Sequence, residues 1–316
     1  MRILRNKGRW IEAKNLNKRG GTSLFKPDVS PNRYTPMKII ESVTEMAAEV
    51  AAWRAAGKTL ALVPTMGALH AGQAAMICAA KARADMVVVS IFLNPLQFGP
   101  NERFEKYPRT PLEDLALCEA SGAHVVFSPK QDVLLPRGYA TFVSEEATSK
   151  PLCGASRPGH FRAVTTVMAK LFNIVRPHAV FFGQKTVQRA AVVRRMAEEL
   201  NFPVEIVVVP TVREADGLAA GVRNREFTSS QRQEALALSK ALKRAKEMAD
   251  SGVRSPDRLI AEATHIMGQH RRVRVIYVAI VDTQTMETLR EVVPGRSLLA
   301  ISAWIDEVRL IDNVEL

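Results

Sequence analysis

Cysteine is scarce: the 316 residues contain only Cys78, Cys118 and Cys153. An odd count without a CxxC spacing signals neither a disulfide framework nor a thiolate zinc site, and it suits a reducing compartment. Each thiol is expected to pack as a small hydrophobe. Long apolar runs are missing too. No stretch approaches the roughly 18 residues that a membrane helix needs, so no membrane partner is expected. The two commonest nucleotide motifs are absent. No G-x-G-x-x-G follows the first strand, which argues against a dinucleotide dehydrogenase, and without G-x-x-x-x-G-K-[ST] a P-loop enzyme is excluded.

Acidic residues are rare at the start of the chain. The formal net charge is +12. Residues 1–36 hold nine Lys/Arg against Glu12 and Asp28, a net of +7, and the rest of the chain carries only +5. High basicity thus belongs largely to one segment, and nucleic acid is not the expected partner of the body. The segment has no apolar period and no secretory h-region. Three readings of it stay open: a disordered extension, a transit-like segment, and translation from an upstream start.

The remaining chain is ordinary in composition, 47% hydrophobic and 24% charged, with ample length for a buried core. Hydrophobic periodicity predicts helices over 38–56, 72–84, 111–121, 161–175 and 186–200. Short apolar strands are predicted over 58–64, 86–92, 125–127, 179–182 and 204–209. Apolar strands alternating with helices imply an α/β fold with a parallel sheet. Beyond about residue 213 come two helices, 229–250 and 256–268, and strand-like runs at 272–281, 298–303 and 306–312. That texture implies a smaller α+β C-terminal domain. The expected division is 1–36, 37–212 and 213–316.

The first strand runs into Pro64-Thr65-Met66-Gly67-Ala68-Leu69-His70-Ala71-Gly72-Gln73. A strand end, a glycine turn and a helix start present free N–H groups to an anion such as phosphate. On local grounds alone, His70 fits a turn cap as well as a phosphate donor. Further on stand Ser90–Phe98, Tyr107-Pro108-Arg109-Thr110, Cys153–Phe161, Phe182-Gly183-Gln184-Lys185, Pro210–Leu218 and Arg223-Asn224-Arg225.

Together these blocks resemble the pantothenate synthetase (pantoate–β-alanine ligase) family from about Lys58 to Leu238. The resemblance implies a Rossmann-like nucleotidyltransferase domain, a C-terminal lid domain and a cytoplasmic homodimer. It implies an ATP-dependent ligase that forms pantoyl adenylate and couples it to β-alanine, supported by Mg²⁺. It assigns ATP binding to Pro64, Thr65, Met66, Gly67, His70, Gly72 and Gln73, and to Gly183, Gln184, Lys185 and Thr186. Val212, Ala220, Gly221, Val222 and Arg223 complete that set. Catalysis falls to His70, Gln73 and Lys185. The acid and amine fall to Asn94, Gln97, Arg157, His160 and Arg189, and the metal to Glu113 and Asp114.

The chain also departs from the family pattern. Gln73 stands where the family has the second histidine of His-x-Gly-His. Gln184 and Thr186 replace two carboxylates, Arg189 replaces a glutamine that contacts pantoate, and Gly221 and Val222 replace two serines. These departures leave three functional readings: a working member, a ligase of this family using a more anionic acid, and an impaired or engineered paralogue.

Because residues 1–36 lack core periodicity, their removal is expected to leave the thermal midpoint within about 3 °C of the full chain. Differential scanning calorimetry of the two chains checks this; a loss of cooperative melting contradicts it.

Overall fold

Leu60 to Thr65 carries apolar side chains at consecutive rather than alternate positions, as a strand covered on both faces requires. The computed structural model describes residues 37–99 and 104–316, together with the backbone of a short antiparallel pair, Arg5–Asn6 with Arg9–Trp10. The expectations for the rest of residues 1–36 lie outside the described residues. Met1–Thr35 and Pro36–Leu316 are separate compact units, and the second holds the elements that carry the motif blocks.

Six parallel strands form its main sheet, in the spatial order Lys38–Ile40, Val125–Phe127, Met86–Ile91, Leu60–Thr65, Ala179–Gly183, Glu205–Val209. Leu60 and Leu62 face the core under the helices Val43–Ala55, His160–Val175 and Val187–Glu199. Ala61 and Val63 face the opposite core with Met76 and Ile77 of the helix Ala71–Lys81. The chain winds outward in one direction from Leu60–Thr65 and in the other from Ala179–Gly183. Order therefore reverses between these two strands, and ligands of open α/β sheets bind at the carboxyl ends of such a pair.

The predicted helix over 38–56 is corrected by an edge strand, Lys38–Ile40, paired parallel with Val125–Phe127. The helix starts only at Val43, where the Ser42 side chain accepts from Glu45 N–H. Ile39, Ile40, Val43, Met46 and Val50 mimic a helical period, so periodicity alone runs through the boundary. The cap and the β-branched Ile pair are what set it. The other predicted elements are present, with ends shifted by up to three residues.

C-terminal to this sheet, Val308–Glu315, Ser297–Ile305 and Val273–Asp282 form an antiparallel three-stranded sheet in that order. The helices Ser229–Asp250 and Pro256–Gly268 pack on it through Leu238, Leu242, Leu259 and Met267. Asp312 is buried at the strand Val308–Glu315 and takes a two-pronged ion pair from Arg213, at 2.7 and 3.2 Å. Asn313 next to it donates to the carbonyls of Gln184 and Lys185. These bonds join the end of the parallel sheet to the C-terminal sheet beside the reversal point.

Candidate active site

The turn after Leu60–Thr65 is fixed by one buried carboxylate. Asp114, 3% exposed, accepts from the N–H groups of Ala68 (2.9 Å) and Leu69 (2.7 Å) and from the Thr110 hydroxyl (3.0 Å). Gly67 lies at φ +83° and a Cβ there would sit 3.2 Å from the Asp114 carboxylate, so glycine suits both conformation and space. Helix Ala71–Lys81 then begins with a reciprocal cap. The Gln73 side-chain oxygen accepts from His70 N–H (3.0 Å), and His70 Nδ1 accepts from Gly72 N–H (3.1 Å). With Nδ1 used as an acceptor, the ring proton of neutral His70 is on Nε2. Burial, with Lys185 and Arg225 nearby, lowers the His70 pKa to about 4, so the ring is a neutral donor near pH 7.

Across the reversal point, Lys185 follows the end of Ala179–Gly183. Its ammonium donates to the carbonyls of Ala219 (3.1 Å) and Ala220 (3.0 Å). Burial lowers its pKa to about 8. A Cβ on Gly221 would lie 2.6 Å from Lys185 Nζ, so the glycine gives the ammonium room. The nearby acids are already engaged: Glu214 accepts from Asn224 and pairs with Arg232, and Asp312 pairs with Arg213.

A cavity of about 270 Å³ opens between these parts. Of the expected nucleotide residues, Pro64, Thr65, Met66, Gly67, His70, Gly72 and Gln73 line one side. Gly183, Lys185, Thr186, Val212, Ala220, Gly221, Val222 and Arg223 line the other. Gln184 is not among the lining residues: its amide donates to Asn313 on the C-terminal sheet. An open groove of about 800 Å³, sharing Tyr107, Val222, Arg223 and Arg309 with the cavity, adjoins it. A slot of about 30 Å³ shares Pro64, Thr65, Met66, Phe182 and Arg189 with the cavity and adds Ser90, Gln97 and the apolar side chains of Phe92, Val164, Val167, Met168 and Leu171. Arg157 and His160 line a fourth space of about 80 Å³, again with Arg189. His160 is buried, and its pKa lies well below normal because of burial and of Arg157 and Arg189. Asn94 stays outside these spaces, bonded to Ala163 C=O and Leu96 N–H.

Among the described residues, six buried side-chain polar atoms lack a hydrogen-bond partner: Ser90 Oγ, Gln97 Oε1, Thr148 Oγ1, Arg189 Nε, Thr211 Oγ1 and Asn224 Oδ1. All but Thr148 belong to residues lining the cavity or the slot. Buried polar groups in folded proteins are nearly always paired, so this concentration marks where a polar ligand belongs. Ser90, Tyr107, Thr211, Asn224 and Arg309 were not assigned from sequence. The first four lie inside the motif blocks, where their polar type was the available signal; Arg309, in the strand Val308–Glu315, lies outside every block.

Glu113 and Asp114, which the resemblance gives to a metal, are engaged with different partners. Asp114 is committed to the turn, whereas Glu113 is exposed and pairs with Arg225 at 3.5 Å. No group of three or more potential ligands converges among the described residues. An Asp114→Ala variant is expected to lose about 2–4 kcal/mol of stability, because it strips an acceptor from buried N–H groups. Urea unfolding measures this, and a change below about 0.5 kcal/mol contradicts the pinning role.

The model of the pantoate-beta-alanine ligase family matches residues 38–315. Pantothenate synthetase of Moorella thermoacetica is 46% identical over 280 residues, spanning 89% of this chain and 99% of the relative. That of Heliobacterium modesticaldum is 48% identical over 278 residues, spanning 88% and 99%. Pantothenate synthetase from Thermus thermophilus superposes with a TM-score of 0.83 at 38% identity, over 88% of this chain and 99% of that one. The Francisella tularensis ligase, in complex with β-γ ATP and β-alanine, gives 0.72 at 26% identity, over 89% and 98%. With a family match across nearly the whole compact unit and relatives this similar, the chain belongs to the pantoate–β-alanine ligase family.

Proposed function

We propose that the chain joins pantoate to β-alanine at the expense of ATP. One observation carries this reading: the unpaired buried polar atoms sort into two adjoining compartments. Thr211 and Asn224 lie in the larger one, which has the helix-start and cationic donors for a nucleotide. Ser90 and Gln97 line the smaller one, whose apolar and polar side chains match the groups of a branched hydroxy acid; at about 30 Å³ it takes one branch of the acid, the rest lying in the adjoining cavity. Arg189 stands at the junction.

The chemistry follows in two steps. A carboxylate oxygen of pantoate attacks the α-phosphorus of ATP, the bond to the bridging oxygen breaks, and pyrophosphate leaves with that electron pair. The β-alanine amine then attacks the acyl carbon of pantoyl adenylate, AMP leaves, and the nitrogen loses a proton. Charge grows on the phosphoryl oxygens in the first step. Lys185, Arg223 and the Nε2–H of His70 face the space where it grows, fixed in a poorly solvated site where such donors act strongly. Gln73 works through the cap that aims His70. Mg²⁺ belongs to the family resemblance, but the acidic pair at 113–114 does not suit it, and no step here runs through it.

Two departures from the family pattern have local structural uses: Gln73 closes a helix cap, and Gly221 leaves space beside the Lys185 ammonium. The reading extends to a cytoplasmic homodimer without nucleic-acid or membrane partners; among the described residues no helix is long and apolar enough to cross a membrane. It takes 37–212 as the nucleotide domain and 213–316 as the lid.

Pantoate-dependent ATP–pyrophosphate exchange, followed by β-alanine-dependent AMP release, tests the assignment; exchange that ignores pantoate overturns it. Lys185→Ala is expected to slow exchange about 10²-fold, the size of one electrostatic contact in the transition state. Because Lys185 has a pKa of about 8 and acts as a cation, kcat/KM for ATP is expected to be full below that pH and to fall as pH rises through it. His70 contributes no ionisation between pH 5.5 and 7.5. A profile flat to pH 10 contradicts the role of Lys185.

A further inference from the structure

Arg189 is in an unfavourable place for a cation. It sits in the first turn of the helix Val187–Glu199, at the positive end of the helix dipole. Its Nε is sealed from solvent without a hydrogen-bond partner, and no ion pair compensates it among the described residues. Burial and the neighbouring Arg157 depress its pKa. An unpaired buried charge is strongly destabilising, so this side chain is suited to a partner that arrives from outside.

The surroundings define that partner. Arg189 lines the slot together with Ser90, 1% exposed, and Gln97, 9% exposed, whose Oγ and Oε1 are also unpartnered. The remaining wall is aliphatic and aromatic. A guanidinium, an amide carbonyl and a hydroxyl in the lining of an otherwise apolar slot match the groups of a small branched aliphatic acid with a hydroxyl group. The carboxylate suits the planar fork of the guanidinium, and the hydroxyl suits the acceptor on Gln97. Arg189 also borders the nucleotide cavity, but Lys185, His70 and Arg223 line that cavity and not the slot, whereas Arg189 lines both.

We propose that Arg189 is the carboxylate anchor of the acid site, so that this enzyme selects its acid by charge first and by hydroxyl pattern second. The inference rests on the acid site described above and sets how that site discriminates. With its carboxylate on Arg189, at the wall shared by slot and cavity, the acid is presented to the nucleotide compartment with its apolar branch in the slot.

The test is calorimetric binding without ATP, with pantoate and with its uncharged primary amide as probes, to the wild type and to Arg189→Gln, which keeps an amide of similar reach. Wild type is expected to prefer pantoate over the amide by about 10–100-fold, the range of a charge-assisted pair. Arg189→Gln is expected to reduce that preference to within about threefold while ATP affinity stays within about twofold. Arg189→Lys should fall between, because an ammonium keeps the charge and loses the fork. Without ligand, Arg189→Gln should melt no lower than wild type, since it removes an unpaired charge. An unchanged preference overturns the inference, as does a loss confined to ATP, which would put the anion partner on the nucleotide. Direct binding keeps the two readings apart. An Arg189-dependent preference in a protein that fails to exchange pyrophosphate would sink the assigned reaction and leave the anchor standing.

Discussion

Positive charge held without acidic partners is the constraint around which this site is organised. Lys185 has only the carbonyls of Ala219 and Ala220, and Arg189 has nothing among the described residues. The carboxylates near Lys185 are engaged elsewhere, Glu214 by Arg232 and Asn224, and Asp312 by Arg213. Folding leaves these cations ready for anions, which a reaction between a carboxylate and a polyphosphate supplies. The electrostatic work is done before substrate arrives, and so little reorganisation remains for the chemical step.

The architecture explains how such an arrangement is held. The reversal of strand order leaves a crevice between the ends of Leu60–Thr65 and Ala179–Gly183. Asp114 fixes the turn on one side, and the Asn313 and Asp312 bonds fix the other. Each contact uses a buried or half-buried polar group. The geometry of His70 and Lys185 therefore follows from the fold rather than from their own flexible side chains.

The sheet could be read from sequence because strands buried on both faces carry consecutive apolar residues, as at residues 86–89. The edge strand at 38–40 could not, because its isoleucines fall in phase with the helix that follows. Within the site, the glycine-bearing turn and the blocks around Lys185 and Arg223 converge on one cavity, the one proposed to take the nucleotide. Other residues were captured by local hydrogen bonds that sequence does not display: Asn94 by Ala163 and Leu96, Gln184 by Asn313, Asp114 by the turn. Conversely, Ser90 and Thr211 gain significance only from what is missing around them. An unsatisfied buried atom is a property of tertiary packing, and residue type alone does not reveal it. Gln73 and Gly221 read as losses against the family pattern, but in the structure one closes a helix cap and the other makes space for an ammonium.

The central claim is that acid and nucleotide occupy adjoining compartments joined at a preformed cationic wall. A crystal structure with a stable mimic of pantoyl adenylate, its phosphate replaced by a sulfamoyl link, tests it most directly. The expected result is the nucleoside against Thr211, Val212 and Asn224, the link within hydrogen-bond reach of Lys185 and His70, and an acyl hydroxyl on Gln97 Oε1. A mimic bound in the open groove beyond Arg309, with Ser90, Gln97 and Thr211 still unpartnered, would contradict it.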